Sequence, residues 1–506
     1  MRRLTAALTA GAVLAVGYLG LDTADLVPGL LTTRPLPPPP PTETPGIRTL
    51  PVVPQPSPST SVRMPLGSLA GEGAAPSPAG LRKALAGVVT LPALADASLV
   101  VRDGQSGGIL YDRGGSQRRI PASTTKLLTA AAVGQVFGGD ETLRTEVHEG
   151  ASADQVVLVA GGDSLLAPGE GDPGAVAGRA GLADLADQVA LALTDSGTER
   201  VVLQVDESYA PGPARASTWG EDFHRLGIVG SVAMLGLSTQ RAGLNRPGPL
   251  DPVGATAATF AALLEDRGVR VSQVERLRPG ISTGTATGTA TGTATGTATG
   301  TATGTATGTP GPGPRVLGSV ESAPVRDQLA LALTDSDNTL TEILARQAAF
   351  RAAPPGSART DFGTVGAWVV EQVAALGIET TGVALADASG LSRENRVTAR
   401  LLTDVLALGY DGSHPVLRTA LEGMPIAGLS GTLAGRYIKD GEPEAAAGRA
   451  RAKTGTLTGA NALAGSVVDD DGRLLVFAGL VSGAPTEAAR AALDDVVSAI
   501  AACGCR

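Results

Sequence analysis

"PASTTKLLTAA", residues 121–131, places a lysine, Lys126, in a chain that otherwise avoids lysine. Of 40 basic residues only four are lysine, Lys83, Lys126, Lys439 and Lys453; the rest are arginine. A guanidinium does not give up its proton inside a protein, whereas a buried ammonium can shift its pKa and act as a base. Pro121 stands just upstream of a run with helical spacing, so the stretch reads as a helix opening at Ser123. Ser123 lies three residues before Lys126, on the same face of such a helix. That is the spacing of a nucleophile and its base. It is equally the spacing of a capping serine ahead of a surface helix.

Two further stretches decide between these readings. Ser336, Asp337 and Asn338 spell SDN, and Lys453 to Thr456 spell KTGT. In this order S-x-x-K, S-D-N and K-T-G are the set carried by β-lactamases and penicillin-binding proteins. Alone, SDN within "TDSDNTLTE" is an adequate helix N-cap. All three in order by accident is rarer than roughly one in a thousand.

The chemistry explains the residue types. A serine hydroxyl needs a base within hydrogen-bond reach. His148, His224 and His414 stand in no triad-like setting, which leaves Lys126 as the base. Desolvation and the nearby charge of Lys453 are expected to lower its pKa. A serine at a helix N-terminus also turns its own N–H toward a developing oxyanion. Ser336 is placed to relay a proton to the leaving amine, and Asn338 to hold a substrate carbonyl and Lys126. Lys453 is expected as a fixed cation for a substrate carboxylate, with hydroxyl contacts from Thr454 and Thr456. Gly455 is expected to let a ligand approach a strand edge, where an extended peptide can pair. Lys83 and Lys439 read as ordinary surface residues. No cofactor or metal is called for.

The rest of the chain fits an exported enzyme. Its 506 residues leave room for two to four domains, and 43% apolar content supplies a core. Aromatics are only 3%, so that core must be built from Ala, Val and Leu. A net charge of −9 without a basic tract argues against a nucleic-acid partner. Arg2 and Arg3 precede an uncharged stretch from Leu4 to Leu21, which is export-signal architecture. At about 1.5 Å per residue it spans roughly 27 Å, close to a bilayer core. "GLDTADLV" makes a poor cleavage site, which favours an uncleaved anchor over a cleaved signal peptide. The positive-inside bias puts the remainder outside the cytoplasm.

Residues 1–24 are thus read as signal or membrane anchor and 25–78 as a proline-rich linker. Forty such residues, at about 3.1 Å each, reach on the order of 100 Å. Residues 79–145 and 314–506 are assigned to the catalytic domain. Strand signals at both ends of the folded chain imply a sheet completed by its two termini, an α/β (α+β) architecture. Residues 146–313 form a large insertion of one or two smaller domains. It includes a TGTA repeat over 283–309, whose composition cannot supply a core. Cys503 and Cys505 have no assigned role; a disulfide between such near neighbours is expected to be strained.

With its motifs placed, the sequence resembles the class C low-molecular-mass penicillin-binding proteins, the D-alanyl-D-alanine carboxypeptidase/endopeptidase family. The likeness runs from about Leu94 to Gly483. "VLVAGGDSLL" resembles the family's GGDPxL segment, with Ser164 where proline is usual, and "QVDESYAPGP" with "STWGEDF" resembles its inserted region. "DASGLSRENRV" and "GLSGTLAGR" resemble its stretches between the second and third motifs.

The resemblance implies a serine β-lactamase/DD-peptidase-like domain, an antiparallel sheet flanked by helices. It implies that Ser123 attacks the D-Ala–D-Ala bond of a peptidoglycan stem peptide, or a D-Ala cross-link, and passes the acyl group to water. It also implies acylation of Ser123 by penicillin, and an oxyanion hole from the backbone N–H groups of Ser123 and Thr456. A β-lactamase would share the motifs, but no E-x-x-L-N follows the SDN. A non-catalytic wall-binding or sensor protein would have no need of Ser123, Lys126, Ser336, Asn338 and Lys453 together.

Overall fold

The computed structural model describes residues 73–277, 314–354 and 359–505. The N-terminal anchor, most of the proline-rich linker and the TGTA repeat lie outside the described residues. Among the described residues no helix is long and apolar enough to cross a membrane. The first described helix begins at Pro78, beside the expected Ala79. Ser77 caps helix α1 (Pro78–Leu85), accepting from Gly80 N at 3.0 Å, and its own N–H donates to Cys505 O at 2.7 Å. Cys503 and Cys505, to which the sequence assigns no role, are paired with each other in this tail, their Cα atoms 5.0 Å apart.

Strands β1 (Ala97–Asp103) and β2 (Ile109–Arg113) form a hairpin, and helix α2 (Thr125–Val133) follows. The chain then leaves for a second sheet. This contains β3 (Arg144–Glu149), β4 (Gln155–Val159), β5 (Arg200–Asp206), β6 (Arg270–Arg276) and β7 (Val316–Glu321), in the order β6-β5-β4-β3-β7. β4, β5 and β6 run parallel, connected through α3 (Leu182–Asp195) and α4 (Pro252–Asp266), while β3 is antiparallel to both neighbours. These strands reach a few residues beyond the expected 146–313 on either side. Leu158, Leu185, Val189, Leu203 and Phe260 pack into a separate core there.

On returning, the chain forms α5 (Val325–Thr334), α6 (Asn338–Ala352), α7 (Phe362–Ala375), α8 (Ala399–Tyr410) and α9 (Pro415–Glu422). The break between α5 and α6 falls at Asp335–Asp337, where the polar run interrupts the helical pattern. A short hairpin, β8 (Ile438–Lys439) and β9 (Glu442–Pro443), precedes β10 (Ala450–Leu457), β11 (Ala460–Val468), β12 (Leu474–Ser482) and α10 (Thr486–Ala501).

The first sheet has the order β10-β11-β12-β1-β2, antiparallel throughout. β1 lies beside β12, so the two ends of the folded chain do complete one sheet. Side chains alternate across a strand, and β12 is buried on both faces for that reason. Leu475, Phe477 and Val481 meet α1 and α10, and Val476, Ala478 and Leu480 meet the helices around α2. On α10, Leu493, Val496, Val497 and Ile500 form one apolar face and are all buried. Alanines fill much of both cores, as the scarcity of aromatics requires.

Candidate active site

Ser123 does not begin the α-helix. It sits in a 3-10 turn, Ala122–Thr124, that runs into α2 at Thr125. Ala122 has φ +46°, a left-handed conformation costly for a residue with a Cβ. Hydroxyls tie the turn down: Thr124 Oγ1 donates to Pro121 O at 2.8 Å and Thr125 Oγ1 to Ala122 O at 2.9 Å. The result brings Lys126 Nζ to 3.1 Å from Ser123 Oγ.

Lys126 is 1% exposed. Its Nζ donates to Asn338 Oδ1 at 2.6 Å and to Ser389 O at 2.7 Å. Asn338 is held in turn, its Nδ2 donating to Ile228 O at 2.7 Å. Burial brings the Lys126 ammonium from its ordinary 10.5 down to about 8, against the pull of Asp387, Glu342 and Asp337, which favour the charged form. Lys453, from β10, is wholly buried, and its Nζ donates to Thr454 O at 3.0 Å. Burial, and then the charge of Lys126, push Lys453 well below the ordinary lysine range. Lys453 is not among the residues that line the cleft, and both effects oppose the fixed cation expected of it.

Ser336 lies in the same open cleft as Ser123, with Thr454 and Thr456. It too is left-handed, φ +56°, at the corner between α5 and α6. Asp337 caps α6 by accepting from Leu340 N at 2.9 Å, so the capping reading of SDN holds while the neighbouring Asn338 reaches Lys126. Thr454 Oγ1 lies 2.9 Å from Thr432 Oγ1, and Thr456 Oγ1 accepts from Arg490 Nη2 at 3.3 Å. β10 is the edge strand, so part of its backbone faces the cleft. Gly455 also packs against the protein itself. A Cβ there would stand 2.6 Å from Pro121 O and 3.1 Å from Ala122 Cβ, so the glycine lets the strand press against the turn that carries Ser123. Lys83 is exposed, while Lys439 lies on the β8–β9 hairpin at the cleft rim.

Several functional neighbours carry no motif and escaped the reading of the sequence. Asp387 Oδ1 accepts from Gly390 N at 2.9 Å and Asn395 Nδ2 at 2.7 Å. Its Oδ2 accepts from Ser392 N at 2.6 Å and, from the second sheet's segment, Trp219 Nε1 at 2.7 Å. Glu342 holds Ala388 N and Ser389 N. Gly390, φ +90°, backs directly onto Ala122 O. Arg241 donates to Asp337 Oδ2 at 2.8 Å and Asp335 Oδ2 at 2.9 Å. The one signal available was the resemblance of "DASGLSRENRV" and "STWGEDF" to family stretches, which names segments but no contacts.

Residues 81–231 and 293–503 match the D-Ala-D-Ala carboxypeptidase 3 (S13) family. The chain belongs to that family. Among its relatives, carboxypeptidase DacB of Mycolicibacterium smegmatis is 34% identical over 85% of this chain and 86% of its own length. A D-alanyl-D-alanine carboxypeptidase of Actinomadura sp. strain R39 is 30% identical over 78% of this chain and 79% of its own. The crystal structure of penicillin binding protein 4 from Haemophilus influenzae superposes with a TM-score of 0.61 at 20% identity, covering 83% of this chain and 97% of that one. The same protein is also solved in complex with a β-lactam, with a TM-score of 0.54. The S13 chain described here is accordingly a D-Ala-D-Ala carboxypeptidase, a hydrolase of peptidoglycan stem peptides, and its fold is that of penicillin binding protein 4.

Proposed function

We propose that Ser123 is the nucleophile and Lys126 its base. Asn338 Oδ1 and Ser389 O can only accept hydrogen bonds, so a neutral lysine gives its two N–H groups to them. Its lone pair is then left toward Ser123 Oγ, 3.1 Å away. That arrangement is the observation that carries the reading. Lys126 takes the hydroxyl proton as Ser123 Oγ attacks the carbonyl of the penultimate D-Ala. The backbone N–H groups of Ser123 and Thr456 receive the oxyanion, and Thr454 with Thr456 receives the terminal carboxylate. Ser336 returns a proton to the departing amine. Water then releases the acyl group from Ser123 by the same route.

The same attack opens a β-lactam ring and leaves the drug on Ser123. Cleavage of a D-Ala cross-link uses the same acyl donor and belongs to the same proposal. Residues 146–313 form the inserted part, contributing Ile228, Trp219 and Arg241 to the rim and supports of the site. The chain acts outside the cytoplasm, tethered by its N-terminal apolar segment.

The test is the intact mass of the full chain after exposure to benzylpenicillin. The expected result is one drug adduct, mapped to the peptide containing Ser123 and absent from Ser123→Ala, which also no longer releases D-Ala from a stem pentapeptide. An adduct on Ser123→Ala, or D-Ala release by it, overturns the assignment.

A further inference from the structure

We propose that Glu342 is a positioning residue for acylation: by holding the backbone of Ala388 and Ser389 it aims the Ser389 carbonyl at Lys126 and so turns the amine's lone pair toward Ser123. This rests on the reading of Lys126 as the base.

The geometry is continuous from one group to the next. Glu342 is 1% exposed, on α6, one turn after Asn338. Its Oε1 accepts from Ala388 N at 3.1 Å and Ser389 N at 2.7 Å, and its Oε2 lies 3.3 Å from Ala388 N. Ser389 O, one peptide unit away, accepts from Lys126 Nζ at 2.7 Å. A single helix thus controls both acceptors of the lysine, Asn338 directly and Ser389 through Glu342. An amine rotates about its Cε–Nζ bond at little cost, so with one acceptor displaced the lone pair has no fixed direction. Thr129 Oγ1, donating to Ala388 O at 2.6 Å, secures the same backbone from the lysine's own helix.

The charges around this pair set the sense of the effect. Lys126 faces Asp387 on the loop, Asp337 and Glu342 on α6, and Lys453 on β10. Asp337 is itself paired with Arg241, and Arg346 stands one turn beyond Glu342 on α6. Burial raises the Glu342 carboxyl to about 7; Asp387 adds to the rise and the bonds from Ser389 and Ala388 oppose it. The Glu342 carboxylate favours the protonated lysine.

The experiment measures the rate of acylation by a fluorescent penicillin as a function of pH. It compares the full chain with Glu342→Ala, Glu342→Gln and Lys126→Ala. Glu342→Ala is expected to acylate about 100-fold more slowly, the loss typical of a misplaced reacting group, with the initial drug affinity little changed. Glu342→Gln keeps an acceptor in place without the charge. It is expected to recover part of the rate and to move the rise with pH to lower pH.

A cooperatively folded Glu342→Ala chain that acylates at the original rate overturns the proposal. So does a Glu342→Gln profile superimposable on the original, and this arm decides if the alanine variant does not fold. A Lys126→Ala chain that acylates normally removes the underlying reading and the proposal with it. An inert Lys126→Ala beside an unshifted Glu342→Gln removes the Glu342 role alone.

Discussion

Trp219 Nε1 donates to Asp387 Oδ2 across 2.7 Å, joining the segment of the second sheet to the loop that backs the nucleophile. Both residues are buried, and Trp219 also packs edge-on to Phe362 with ring centroids 4.7 Å apart. Phe at position 219 keeps the packing and removes the donor. A hydrogen bond to a buried acid contributes about 1.5–3 kcal/mol. Trp219→Phe is expected to lower stability by about that much in urea unfolding. It is also expected to slow penicillin acylation, because Asp387 holds Gly390, which abuts Ala122.

The turn carrying Ser123 lies between two glycines. A Cβ at Gly390 would stand 1.9 Å from Ala122 O, and one at Gly455 would stand 2.6 Å from Pro121 O. Both obstacles are backbone atoms, so the turn itself must move. Gly390→Ala and Gly455→Ala are each expected to reduce acylation about 100-fold or more, with Gly390→Ala the less stable because its φ is +90°. Acylation kinetics beside thermal unfolding separate the two effects.

In the proposed mechanism the acylating base is the neutral form of Lys126. With its pKa brought down to about 8, acylation is expected to rise with pH through 8 and then level. Below that point the neutral fraction falls about tenfold per pH unit. A rate independent of pH across this window, measured with benzylpenicillin, contradicts the assignment.

Asp103 at the end of β1 grips Arg473 before β12, with Oδ2 to Nε at 2.6 Å and Oδ1 to Nη2 at 2.7 Å. Burial by itself would raise the Asp103 carboxyl. The bonds from Arg473, Ser106 and Gln105 overcome it and bring the group down to about 2 from 3.8. The unfolded chain therefore takes up this proton first. The stabilisation is complete above 3.8 and is lost as pH falls toward 2. Asp103→Asn is expected to cost about 3 kcal/mol at neutral pH and to show a flatter decline in stability across that acidic window, read by urea unfolding.

Much of the site is legible in the sequence because its chemistry is local. Ser123 and Lys126 share a helical turn, Ser336 and Asn338 fall in a visible break between two helical patterns, and Lys453 opens a strand. The expected helix start at Ser123 missed the 3-10 turn, since a left-handed Ala122 is sustained by Gly390 and Gly455 from elsewhere in the chain. The expected source of Lys126 acidity was partly misplaced as well. Burial does lower it, but the acids Asp387, Glu342 and Asp337 oppose the shift, and none of them stands near it in sequence.

The sequence by itself determined the three motifs and named the proposed nucleophile and its base. Residue type and short spacing carry that chemistry, and strand signals at both ends imply one sheet completed by the two termini. Only the tertiary structure decided where the lysine's protons point, which carbonyl receives them, and which buried acids hold that carbonyl in place. Lys126 and Ser389 are 263 residues apart, and Trp219 and Asp387 are 168 apart. Contacts of that range depend on which surfaces pack together and exclude water, a property of the folded chain that no local stretch encodes.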